Sequence, residues 1–114
     1  MRTFELRVYK LRTKEALDYY REEVNPRHLN SFPLFGIEAF GFWTAMADVQ
    51  PRLFVLVSYV ADEEPGEVGR RYMESTEFAD DTRNFDVADI VGVESTILIP
   101  SNCALHDDRF RVSS

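Results

Sequence analysis

The chain has 114 residues, 45% of them hydrophobic, which is the size and composition of one globular domain with a single core. Thirteen basic against twenty acidic residues give a net charge of -7, which repels phosphate backbones and excludes nucleic acid as an expected partner. One cysteine, Cys103, leaves no internal disulfide. No apolar run approaches the roughly 20 residues of a membrane span and the opening residues lack a signal-like apolar stretch, so the expectation is a cytoplasmic protein without a membrane partner.

Phe4 to Leu11 (FELRVYKL) alternates strictly, with Phe4, Leu6 and Val8 on one face and Glu5, Arg7 and Tyr9 on the other, the pattern of a first strand. Thr13 is placed to cap a helix over KEALDYYREEV, where Leu17, Tyr20 and Val24 recur at helical spacing. Asn25-Pro26 predicts an interruption, with His28 in a second short segment started by the proline. Gly36 precedes IEAFGFWTA (37–45), a second strand in which Gly41 marks a bulge or a close approach by another group. LFVLVSYV (53–60) follows as a third strand, apolar on both faces.

The stretch from Asp62 to Phe85 reads as two helical pieces. Pro65 and acidic residues occupy the first turn of one, with Val68 and Tyr72 on its apolar stripe; Ser75-Thr76 caps the other, which carries Phe78. The acidic groups Asp62, Glu63, Glu64, Glu67 and Asp80, Asp81 read as solvated surface. A last strand from Ile90 to Ile99 stops at Pro100, which makes residues 1–100 the domain and 101–114 a polar C-terminal tail. The order βαββαβ predicts a ferredoxin-like α+β fold with a four-stranded antiparallel sheet, its first strand flanked by the third and fourth. Alternation places Phe40 and Phe42 on one side of the second strand and Ile37 and Trp43 on the other. Both faces of the sheet then need cover, and a second copy of the chain, forming a homodimer, is the economical one.

The opening FELRVY, the GFW of Gly41 to Trp43, the third strand ending in Ser58-Tyr59, the STEF of Ser75 to Phe78 and the closing VESTILIP resemble, in order and spacing over about residues 3–100, the NIPSNAP family. The resemblance implies the dimeric α/β-barrel arrangement of two ferredoxin-like sheets. It implies fold and dimer more firmly than activity, because relatives in that superfamily include cofactor-free monooxygenases, lactone isomerases, aldoxime- and haem-handling enzymes and polyketide cyclases.

Arg7 and Tyr9 are expected on the face of the first strand that points away from the helices, beside Glu94 of the fourth strand. An arginine in a covered sheet requires a partner, and a carboxylate is the best one. One reading is a structural Arg7–Glu94 ion pair whose hydrogen-bond network Tyr9 and Glu5 complete. The other is catalytic, with Arg7 polarising a carbonyl or enolate oxygen while Tyr9 or Glu94 moves a proton. Trp43 and Tyr59 suit stacking on a flat aromatic ligand, and equally suit a core or dimer interface. His28 is a candidate acid, base or ligand contact, or a surface residue.

His106, Asp107 and Asp108 are adjacent in a tail and do not present a common metal geometry, so no metal is expected. There is no Gly-rich phosphate loop, GxSxG elbow, paired-cysteine site or HExxH. The expected function is that of a cofactor-independent enzyme acting on a small, largely apolar or aromatic metabolite by proton transfer, cyclisation or oxygenation. The alternative is a non-catalytic small-molecule-binding or dimeric interaction module.

Overall fold

The first strand, β1, runs over Thr3–Leu11 in the computed structural model, which describes residues 2–47 and 49–100. The expected tail, with Cys103 and the His106 cluster, lies outside them. After β1, Thr13 accepts a hydrogen bond from the Ala16 amide at 3.0 Å and so starts α1 (Lys14–Tyr19), as its side-chain chemistry predicts. The helical path then continues without a break through a π-helical turn (Tyr20–Val24), α2 (Asn25–Ser31) and a 3-10 turn (Phe32–Phe35).

Pro26 was expected to interrupt this path, and the π turn is how the chain avoids that. A proline clashes with the carbonyl four residues earlier. In the wide turn that precedes it, the Asn25 amide instead reaches back to the Tyr20 carbonyl, and Pro26 then sits in the first turn of α2 where no amide is needed. Gly36 stops the run in the left-handed region at φ 73, which a side chain would resist.

Two strands follow, β2 (Glu38–Thr44) and β3 (Arg52–Tyr59). Next come α3 (Pro65–Met73), capped by the Glu64 carboxylate, and α4 (Thr76–Asp81), capped by the Ser75 hydroxyl. A 3-10 turn (Val87–Asp89) leads into β4 (Ile90–Leu98). The four strands pair antiparallel in the order β2-β3-β1-β4, with β1 between β3 and β4 as the ferredoxin-like order requires.

The helices cover one face of this sheet. Leu17, Tyr20 and Val24 from the first helical path and Val68 and Tyr72 from α3 join Leu11, Leu53, Val55 and Val57 in one core cluster. Each fully buried aliphatic side chain there contributes on the order of 1.5–3 kcal/mol.

The register of β2 is set by the predicted bulge. Pairing shifts between Ala39 and Gly41, so Phe40 is the extra residue and the side chains beyond it change sides. Phe42 pairs with Val55 on the helix side, whereas Phe40 packs on Phe4 at 5.6 Å and Trp43 pairs with Phe54 on the outer face. This overturns the expected grouping of Phe40 with Phe42, because alternation counts residues and a bulge removes one from the count. A β-carbon at Gly41 would lie 2.5 Å from the Trp43 ring, so this glycine is the close approach that the sequence signalled.

The outer face of the sheet carries Phe4, Leu6, Val8, Phe54 and Leu56, with Leu6 directly opposite Leu56. The described helices all pack on the other side. Among the described residues no helix is long and apolar enough to cross a membrane.

Candidate functional site

Between the helix-covered face of the sheet and the helices lies a cavity of about 330 Å³, within the range of small-molecule sites. Arg7 and Tyr9 of β1 and Tyr59 of β3 reach it from the sheet, and Tyr20, His28 and Tyr72 reach it from the helices. Arg7 and Tyr9 therefore lie on the helix side, opposite to the face expected for them. The alternation in β1 separates two sets of residues correctly, but each face holds buried residues, Glu5 on one and Phe4 and Val8 on the other, so it does not say which set meets the helices.

Two polar groupings flank the cavity. The first is built on β1. Glu5, 5% exposed, accepts hydrogen bonds from the hydroxyls of Tyr59 and Ser95. Its Oε1 stands 3.8 Å from Arg7 Nη1, an ionic contact beyond hydrogen-bond distance. The Arg7 guanidinium lies over the Tyr9 ring at 5.3 Å, a cation–π geometry, and its Nε has no hydrogen-bond partner. Burial works against the charge on Arg7, but Tyr9, Glu5 and Tyr59 outweigh it and hold the guanidinium above its usual range. Burial, followed by the hydrogen bond to Glu5, pushes the Tyr59 phenol up, so it stays a neutral donor.

The second grouping is contributed by the helices. His28 is 3% exposed, which removes the surface reading of this residue. Its Nε2 is 2.8 Å from the Tyr20 hydroxyl and its Nδ1 is 3.1 Å from Asp81 Oδ2 and 2.5 Å from the Tyr72 hydroxyl. Tyr72 donates to Asp81 Oδ2 at 2.6 Å, and Ser31 donates to the same oxygen. These contacts assign the proton of a neutral imidazole to Nδ1, leaving Nε2 to accept from Tyr20. Burial lowers the His28 pKa, only partly opposed by Asp81, so the ring is neutral near pH 7. Burial drives the Tyr20 phenol well above its ordinary value.

The π turn makes this alignment possible. Residues eight apart on an ideal α-helix are offset by about 80°. The extra residue absorbed between Tyr20 and His28 makes them behave as if seven apart, about 20° from alignment, so the phenol stands over the ring. Asp81 arrives from the other end of the chain: Ser75 restarts the helix after Tyr72, and the end of α4 returns the carboxylate to the Tyr72 hydroxyl.

The remaining expected residues part company. Glu94 pairs with Val8, so it points to the outer face, where Lys10 binds it at 3.0 Å; the residue opposite Arg7 is Ser95. An Arg7–Glu94 pair is thus ruled out by a one-residue difference in register, which reverses the face. Trp43 is 51% exposed on the outer face and does not line the cavity. Tyr59 and His28 do line it. Asp81 departs from the surface reading given to Asp80-Asp81: its side chain is 6% exposed against 70% for Asp80. Tyr20, Tyr72, Ser31 and Asp81 were not singled out as site residues. The spacing of Tyr20 and His28 around Pro26 was the one visible signal for them. Among the described residues no three His, Cys, Asp or Glu side chains are grouped to hold a metal.

Solved structures share this architecture. A NIPSNAP family protein from Agrobacterium tumefaciens is similar over 94% of this chain and 100% of its own, with a TM-score of 0.68 at 18% identity. An uncharacterised NIPSNAP domain protein from Burkholderia xenovorans is similar over 90% of this chain and 98% of its own, with a TM-score of 0.68 at 15% identity. A Nitrosomonas europaea protein, named as a candidate antibiotic biosynthesis monooxygenase, is similar over 84% of this chain and 88% of its own, with a TM-score of 0.58 at 15% identity. No curated protein sequence matches the chain. The NIPSNAP family profile matches residues 4–104, nearly the whole chain, and with the shared βαββαβ architecture this shows that the chain belongs to the NIPSNAP family.

Proposed function

We propose that this protein is a cytoplasmic homodimeric enzyme that moves a proton on a small, largely apolar metabolite, using its own side chains in the cavity between sheet and helices. The observation that carries this reading is the line Tyr20–His28–Asp81, whose outer member faces the cavity. Tyr20 oxygen takes a proton from the bound molecule as its own proton passes to His28 Nε2. The imidazolium so formed is stabilised by the Asp81 carboxylate, in the manner of a base oriented by a third group. Arg7 supplies a fixed positive charge to the negative molecule left behind.

A free phenol loses its proton near pH 10, and burial makes Tyr20 more reluctant still. Passing the proton directly to His28 avoids a free phenolate. The resulting enolate or phenolate is the common entry to isomerisation and ring closure, and it is the electron-rich form on which oxygenation without a cofactor depends. The dimer reading rests on the apolar outer face of the sheet, opposite the cavity.

The test is proton exchange. A panel of enolisable ketones and β-dicarbonyl compounds is incubated with the protein in deuterium oxide, and deuterium incorporation is read by mass. Wild-type protein is expected to accelerate exchange for some members, and Tyr20→Phe to lower that rate by roughly 10²–10⁴-fold with little effect on binding. Equal rates for the two proteins on every accelerated compound would remove Tyr20 from the mechanism.

A further inference from the structure

We infer that the molecule held in this cavity is a monocarboxylate with an apolar or aromatic body, its carboxylate seated on Arg7 beside Gly69. The inference rests on the cavity reading given above and deepens it from an apolar metabolite to an anionic one.

Among the described residues Arg7 is a cation with no hydrogen-bonded carboxylate: its hydrogen-bonding neighbours are the phenols of Tyr9 and Tyr59, which bring no full charge, and its Nε has no partner. Glu5, its ionic neighbour, stands 3.8 Å away and already accepts from Tyr59 and Ser95. Neither Glu5 nor Asp81 lines the cavity, so no carboxylate of the protein competes there. The Arg7 side chain lines the cavity and is 22% exposed although its Nε is buried, and its Nη1 is the atom on the side of Gly69. A flat fork of N–H donors is the geometry that a carboxylate matches with two parallel hydrogen bonds.

Gly69 makes the room. A β-carbon built on it would meet Arg7 Nη1 at 3.8 Å and nothing else within 4 Å, so α3 leaves open space beside the cation. Apart from the hydroxyls of the lining tyrosines and the His28 ring, the cavity wall is mostly apolar, and Met73, Val87 and Val93 line it and stand about half exposed, which makes its mouth apolar too. A purely apolar ligand filling this space would strip water from Arg7 and give nothing back, and a neutral carbonyl would return a hydrogen bond but no opposite charge, a costly exchange for a charged group. A carboxylate restores the lost interactions, and the apolar mouth accommodates the body behind it.

The experiment compares 1-naphthoate with 1-naphthamide, molecules of the same shape and different charge, by calorimetric or NMR titration of the full chain. Naphthoate is expected to bind wild-type protein about tenfold or more tightly than the amide. Arg7→Gln should abolish that preference, and Arg7→Lys should keep part of it, which covers the case in which the glutamine variant does not fold. Gly69→Leu fills the space and should block both probes while leaving a folded protein, because leucine favours helix over glycine. If both probes bind wild type equally and Gly69→Leu blocks both, the cavity reading stands and the carboxylate assignment is overturned. If neither probe binds wild type, the carboxylate assignment and the cavity reading both fall.

Discussion

Replacing Asp81 with alanine should destabilise the protein by about 2–4 kcal/mol, because one carboxylate oxygen gathers three buried donors. Asp81 Oδ2 accepts from Tyr72 at 2.6 Å, from His28 at 3.1 Å and from Ser31, and all three donor residues are buried. Their simultaneous loss would cost more if nothing rearranged. Part is recovered: His28 Nδ1 can donate to the Tyr72 oxygen at 2.5 Å, and Tyr72 can turn to Ser31 Oγ at 3.4 Å, which leaves the Ser31 hydroxyl without an acceptor. Relief from burying a carboxylate offsets a further share. Asp81→Asn keeps an acceptor and loses only the charge, so about 1 kcal/mol is expected.

Urea unfolding followed by far-ultraviolet circular dichroism measures both. With a slope of about 1–3 kcal/mol/M for a domain of this size, the alanine variant should shift the midpoint down by roughly 1–2 M. A shift below about 0.3 M with an unchanged slope would show that the three donors find other partners, and it would sink the claim that this oxygen organises the helical side of the site.

Two further outcomes are expected. The folded state lowers the His28 pKa, so between the folded value and the ordinary value near 6.5 the unfolded chain binds more protons; the stabilising contribution is complete above about pH 6.5 and is lost as pH falls through the folded pKa. Urea midpoints should decline on acidification below that value and the His28 ring should titrate low by NMR; a midpoint that rises as pH drops from 7 to 5.5 would contradict this. Leu56→Glu, placed opposite Leu6 at the centre of the outer face, should convert a wild-type homodimer into a folded monomer by light scattering. A wild-type protein that is monomeric at micromolar concentration would refute the dimer.

The local signals were legible because each one acts over a few residues. Thr13 and Ser75 cap the helices they were expected to cap, Gly41 sits at a bulge, and β1 separates Glu5, Arg7 and Tyr9 from Phe4, Leu6 and Val8. The βαββαβ order and the antiparallel sheet follow from those signals together.

Tertiary structure decided the rest. Where both faces of a strand are buried, hydrophobicity no longer marks which face meets the helices, so Arg7 and Tyr9 were placed on the wrong side. Register assigns Glu94 to Lys10 and gives Glu5 the hydroxyl of Ser95, and no pattern within either strand contains that pairing. The π turn that aligns Tyr20 with His28 is a response to a proline that by itself reads as a break. Asp81 looks like half of a surface acidic pair until α4 folds back against α2, 53 residues away in sequence, and only then does its carboxylate gather His28, Tyr72 and Ser31 behind the cavity wall.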